Sequence, residues 1–177
     1  MIETNRLLMR QIEYTDWEFF YNVEKDASVQ EYVSDINTEE TIRERFESRL
    51  PSWNKMNSQW LCLVITLKET GEKIGVSGFY PEWEPYQQAE VGFLLASGFQ
   101  GEGYGKESLI AVLGFVFDDL SFHKVKATVT EGNDASCGLL RKVGFQQEGL
   151  IRDNYKIQGA WKNDIVFGLL RNELVTK

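Results

Sequence analysis

Histidine, cysteine and proline are scarce in this chain of 177 residues, at one, two and three copies. The lone His123 cannot build a multi-histidine metal site, so no metal is expected and the side chain is assigned to the surface or a strand edge. Cys62 sits in the apolar run Leu61-Cys62-Leu63-Val64-Ile65 and Cys137 in a helix-like stretch, without C-x-x-C spacing or the count of a disulfide scaffold. Both read as reduced structural thiols. With no Pro-rich tract, low-complexity segment or internal repeat to mark a linker, one domain over residues 1–177 is expected. Long hydrophobic runs are missing too: none approaches the roughly 20 residues of a spanning helix. Met1-Ile2-Glu3-Thr4-Asn5-Arg6 has no apolar leader, so a cytoplasmic protein without membrane contact is expected. Basic residues are outnumbered, 19 Lys and Arg against 27 Asp and Glu, giving a net charge of −8. That balance argues against nucleic acid or an anionic membrane as partner and suits a cationic one; it leaves monomer and homodimer open.

Hydrophobic residues make up 42% of the chain, enough for a sizeable core, and their spacing predicts an α/β order with mainly antiparallel pairing. Arg6 to Arg10 reads as a strand, Thr15-Asp16-Trp17-Glu18 as a capping-box helix start, and a second helix runs from Asn37 or Thr38 to about Pro51. Leu61 to Leu67 and Ile74 to Tyr80 form a hairpin, and Ala89 to Ala96 is a further strand after the loop Pro81 to Tyr86. A helix follows over Lys106 to Leu120, then the alternating strand Val125 to Thr130, then a helix capped by Asn133 and Asp134 and stopped by Gly144. Two last strands, near Gln146 to Ile151 and Trp161 to Leu169, are expected to flank a polar loop containing Gly159.

Between the strand ending at Ala96 and the helix beginning at Lys106 lies Gln100-Gly101-Glu102-Gly103-Tyr104-Gly105. A glycine-rich turn at a helix N-terminus gathers unpaired backbone N–H groups in front of the positive end of the helix dipole, which is chemistry for holding phosphates. A P-loop is excluded, because Glu107 follows Lys106 where Ser or Thr is needed and Gln100 stands where the first glycine should be. The spacing is also wrong for a dinucleotide fold.

The turn instead resembles the Q/R-x-x-G-x-G/A pyrophosphate signature of the GNAT acyltransferases. Glu3-Thr4-Asn5-Arg6-Leu7-Leu8-Met9-Arg10 is similar to the E-T-x-R-L-x-L-R opening of the subgroup that includes ribosomal-protein N-acetyltransferases. Asn133-Asp134-Ala135-Ser136, then Leu139 to Phe145, then Glu148-Gly149 resemble that subgroup's N-x-x-S…L-x-x-x-G-F…E-G pattern. Three motifs in register cover nearly the whole chain. The resemblance implies the GNAT fold, a predominantly antiparallel sheet with helices on both faces, and acetyl-CoA as co-substrate. The acceptor it implies is a primary amine, either a small cationic one or a protein N-terminus.

It also implies residue roles. Phe93, Leu94 and Leu95 would pair through their backbone with the pantetheine arm, and Gln100, Gly101, Glu102, Gly103, Tyr104 and Gly105 would cradle the pyrophosphate. Lys106 would add a charge or remain a solvated first-turn lysine. Asn133 would hold the cofactor arm, with Asp134 left to cap the helix. Glu90, in the subgroup's A-E-x-G strand, is a candidate proton relay; a solvent-facing strand residue or an acceptor for the substrate cation are its other readings. Ser136 is placed near the thioester sulfur or is a first-turn serine making local hydrogen bonds. Many family members carry Tyr as thiolate acid in the stretch where this chain has Leu140. A noncatalytic acyl-CoA-binding protein is therefore the alternative reading. Trp53, Trp60, Tyr80, Trp83, Tyr86 and Trp161, with Glu82 and Glu84, are candidates to line a cationic acceptor's site, and core or rim packing is the favoured reading for most of the aromatics.

Overall fold

The computed structural model describes residues 1–176. One sheet of eight strands carries the molecule, in the spatial order β1-β2-β3-β4-β5-β6-β8-β7. The strands are β1 (Ile2–Glu3), β2 (Leu7–Gln11), β3 (Leu61–Leu67), β4 (Lys73–Glu82), β5 (Gln88–Leu95), β6 (Lys124–Thr130), β7 (Gln146–Ile157) and β8 (Ala160–Leu170). Every neighbouring pair is antiparallel except β5 and β6. Parallel neighbours need a crossover, and here α4 (Tyr104–Gly114), continued by a π-helical turn over Phe115–Asp119, provides it.

Alternation along the strands sends side chains to two cores. On one face Leu63, Phe79, Val91, Val125 and Ala127 pack with Leu109 and Leu113 of α4 and Leu140 of α5 (Asp134–Lys142). On the other, Cys62, Val64 and Val76 pack with Phe20 of α1 (Trp17–Lys25) and with Ile42 and Phe46 of α3 (Glu39–Glu47). The expected mixed α/β architecture with helices on both faces is what forms. Both cysteines are buried free thiols, and burial pushes the Cys62 thiol up.

Three expectations need correction. Helix α1 does not start from a Thr15 cap: the Asp16 carboxylate accepts the Glu13 N–H at 2.8 Å and is gripped by Arg10 at 2.8 Å and Lys73 at 2.7 Å. Burial opposes ionisation of Asp16, but these hydrogen bonds outweigh it and hold the carboxyl at about 2. A short helix, α2 (Ala27–Gln30), capped by Asp26, occupies a stretch given no element from the sequence. The polar segment 152–157 is not a loop; β7 continues through it and closes on β8 at a two-residue turn, Gln158-Gly159, with φ of 51° and 76°. Paired positive φ is the backbone that joins twisted antiparallel strands, so turn chemistry overrode the polar composition.

Candidate functional site

Strands β5 and β6 are in register for three residues, Gln88 with Lys124, Ala89 with Val125 and Glu90 with Lys126, and then part. Beyond that point β5 keeps its β4 partners, Phe93 against Ser77, Leu94 against Val76 and Leu95 against Gly75, while its other edge faces a cleft of about 990 Å³. An open strand edge in a cleft can accept an extended amide chain as a further strand would. Phe93, Leu94 and Leu95 all line this cleft, and so do Asn133 and Ser136 across it.

The glycine turn closes one end. Gly101 and Gly103 adopt φ of 84° and 83°, a left-handed backbone that L side chains avoid, whereas Gly105 is already helical and buried. A side chain at Gly105 would begin 3.3 Å from Leu139 of α5, so that glycine serves close packing of the two helices. Gly103 is the N-cap of α4 and offers no side-chain cap, in contrast to α5, where Asn133 accepts the Ser136 N–H at 3.2 Å. A helix start without a capping side chain favours an anion from outside. Gln100, Gly101, Gly103, Gly105 and Lys106 line the cleft, while Glu102 and Tyr104 do not. The Gln100 amide turns back to donate to the Leu95 carbonyl at 3.3 Å.

Glu102 and Tyr104 have a different engagement, which sequence reasoning missed. Arg6 donates to the Glu102 carbonyl at 3.1 Å, lies over the Tyr104 ring at 4.3 Å and pairs with Glu107 at 2.7 Å. Glu107 also accepts from the Thr4 hydroxyl at 2.6 Å and the Arg6 N–H at 2.9 Å. Burial would raise the Glu107 carboxyl, but hydrogen bonds from Thr4 and Arg6 and the Arg6 charge hold it below the usual carboxylate range. The Glu3 to Arg10 motif thus ends in a clamp on the glycine turn. Its signal was the motif itself, which carried no partner until the fold brought Glu107 beside it.

Asn133, not Asp134, caps α5, so its carboxamide oxygen is engaged and its amino half is the part left to meet a ligand. Leu140 is fully buried in the core. Glu90 is half-buried between Tyr80 and Lys126 in the sheet register and is not a lining residue of the cleft; Lys126 itself pairs with Glu82 at 2.5 Å.

Most of the aromatics weighed as acceptor lining are packing residues. Trp53 packs edge-on against Phe79, Trp83 against Phe122 beneath Lys55, and Trp161 lies exposed beside Lys156. Of the six aromatics only Trp60 lines the cleft, its ring resting on Gly92, where a side chain would begin 3.3 Å away. Trp53 and Trp83 are drawn into one cluster through Phe79 and Phe122, and Tyr80 meets Trp60 at 6.1 Å. Glu24, Glu31, Tyr32, Thr130, Tyr155 and Asp164 line the cleft as well. Glu24 is neutralised by Arg45 at 2.6 Å; Arg49 lies over Phe20 and donates to the Cys62 sulfur at 3.7 Å.

A parted pair of parallel strands faces an uncapped, glycine-led helix, and an acetyltransferase (GNAT) domain model matches residues 6–146. The chain belongs to the GNAT acetyltransferase family. It is 28% identical over 170 residues to the uncharacterized N-acetyltransferase p20 of Bacillus licheniformis, covering 96% of each chain. It is 26% identical over 127 residues to the ribosomal protein uS5 alanine N-acetyltransferase of Escherichia coli, covering 70% of this chain and 66% of that protein. In structure it resembles spermidine N-acetyltransferase from Vibrio cholerae, solved with CoA and spermine, at a TM-score of 0.85 and 19% identity over 96% of this chain and 98% of that one. A Bacillus anthracis GNAT acetyltransferase superposes with a TM-score of 0.82 at 23% identity over 97% and 99% of the two chains. Among the described residues no helix is long and apolar enough to cross a membrane.

Proposed function

We propose that this GNAT protein is a single-domain, acetyl-CoA-dependent N-acetyltransferase acting on a primary amine by direct transfer. The observation that carries the reading is the parting of β5 from β6 opposite the glycine turn. The residues present suit the co-substrate. The turn has left-handed glycines, with open space where a side chain at Gly101 would stand, and the cleft offers an unpaired strand edge of the length of Phe93 to Leu95.

When bound, acetyl-CoA supplies an acetyl thioester. The chain's residues would then act as follows. Backbone groups of Phe93, Leu94 and Leu95 align the amide-bearing arm, N–H groups of Gln100 to Gly105 meet the pyrophosphate, and Lys106 adds positive charge. The amino half of Asn133 holds the arm. An N–H at the end of β5 near Leu95 polarises the carbonyl as the neutral amine attacks, forming C–N and breaking C–S. The Ser136 hydroxyl donates toward the departing sulfur, since Leu140 lies in the core and brings no acid. Glu90 would take the amine proton through water, because it lies on the same face as Gly92 but outside the cleft lining. The amines named for relatives, spermidine and an alanine of uS5, support an amine acceptor, and the absence of a spanning helix suits a cytoplasmic enzyme.

Release of CoA thiol from acetyl-CoA in the presence of amines and peptides tests the reading, with thermal melting as the binding control. At ligand about 100-fold above its dissociation constant, linkage adds about 2.7 kcal/mol of stability. A raised melting temperature without any acceptor-dependent release would turn the reading to the noncatalytic acyl-CoA binder that the missing tyrosine suggests.

A further inference from the structure

One wall of the cleft holds a carboxylate with no ion-pair partner among the described residues. Asp164 is 5% exposed and lines the cleft, and no cationic side chain pairs with it among the described residues. A buried carboxylate is costly unless a cation or several hydrogen bonds compensate it. Its hydrogen-bonding neighbours are neutral: the Asn154 amide donates to it at 2.6 Å, and the Tyr155 hydroxyl lies between it and Thr130. The arginines of the opposite wall do not reach this role, since Arg45 is paired with Glu24 and Arg49 is laid on Phe20 and Cys62. The wall is also fixed in place. Thr130 is the register partner of Asp164, and its hydroxyl donates to the Tyr32 carbonyl at 2.6 Å. Burial, opposed by the Thr130 contact and helped by Asp164, pushes the Tyr155 phenol up, so it stays a neutral dipole. Glu31, exposed beside Tyr32, adds a second carboxylate at the rim.

We infer that Asp164, with Tyr155, is an ammonium-binding subsite, and that the acceptor carries a second cationic group besides the amine that reacts. This rests on the transferase reading above and narrows its acceptor to a di- or polyamine. A carboxylate set against the reacting amine would hold it protonated and non-nucleophilic, so the productive use of Asp164 is to anchor the charge that does not react. Thr130, the register partner of Asp164, ends β6 three residues before Asn133. Cofactor wall and acceptor wall therefore meet on one strand end.

The test uses a matched pair, 1,4-diaminobutane and n-butylamine, which differ in the second cation. With CoA present, calorimetry on the wild type should show the diamine binding at least tenfold more tightly. Asp164→Asn should remove that difference while leaving acetyl-CoA affinity and melting temperature within error. Tyr155→Phe should weaken the diamine about threefold, and it decides the matter should the Asn variant fail to fold. A wild type that does not discriminate between the two amines, or an unchanged ratio in both variants, overturns the inference. Binding is read without turnover, so the two proposals separate. Asp164-dependent diamine binding without CoA-thiol release keeps the subsite and removes the transferase reading; release with a monoamine or peptide alone does the reverse.

Discussion

Two parts of the cleft lining are made of different material. At the glycine turn the recognition elements are backbone: left-handed Gly101 and Gly103, an uncapped helix start and the unpaired edge of β5, with Arg6 and Glu107 fixing the turn from behind. Around Asp164 they are side chains from four separate segments: Glu31 and Tyr32 after α2, Thr130 closing β6, Tyr155 on β7 and Asp164 on β8. Backbone recognition reads a group common to many molecules and tolerates little change in the chain. Side-chain recognition can be rewritten one residue at a time, so a family can keep one donor and vary its acceptors.

The sharpest way to break the contrast is at the turn. Gly103→Val forces a β-branched residue into a left-handed backbone, at a strain of about 1–2 kcal/mol, and it shifts the N–H groups of the α4 start. Acetyl-CoA binding by calorimetry should fall by at least ~100-fold with the fold retained; an unmoved dissociation constant would make the turn structural only. Ser136→Ala should come next. General acid contributions are typically ~10²–10⁴-fold, and with water able to stand in, the low end of that range is expected in turnover, with acetyl-CoA affinity unchanged.

Arg6→Ala sharpens the comparison, because it touches the turn only from behind. The expected outcome is acetyl-CoA binding about tenfold weaker, near 1.4 kcal/mol, and turnover within twofold. S-acetylpantetheine, which lacks the pyrophosphate, should be handled equally by both proteins; a matching loss with that shorter donor would show general damage. The clamp also carries a pH signature. Glu107 is lowered from its ordinary 4.5 in the fold, so its stabilisation is fully present above that value and is lost as pH falls through the lower folded value. The melting-temperature gap between wild type and Arg6→Ala should hold from neutrality down to about 4.5 and close below it. Glu90→Gln should have the smallest effect, about three- to tenfold in turnover, because a carboxylate acting through water contributes less than the usual ~10²-fold. A drop beyond 100-fold would place Glu90 in direct contact with the amine.

Legibility followed the same division. The hairpin of β3 and β4, the β6 alternation and the α4 turn were readable because each is written in consecutive residues whose period or glycine content has a local cause. Misreadings came where a partner outside the motif decided the outcome, or where two adjacent residues could do the same local job. Asp16 rather than Thr15 starts α1, because Arg10 and Lys73 converge on its carboxylate. Asn133 rather than Asp134 caps α5. Composition placed Trp53, Trp83 and Trp161 near an acceptor, but each found a packing or cation partner elsewhere.

By itself the sequence determined the glycine-turn end: family, turn, and the strand and helix that flank it. Those features need only neighbours along the chain, and a short peptide's dihedral freedom and N–H inventory already specify them. The tertiary structure alone decided where β5 and β6 part, which charge braces the turn, and which cleft carboxylate has no ion-pair partner among the described residues. Arg6 meets Glu107 across 101 residues and Thr130 meets Tyr32 across 98, while Arg45, also in the cleft, is taken by Glu24. A missing partner is a property of the packed whole, and no stretch of residues records it.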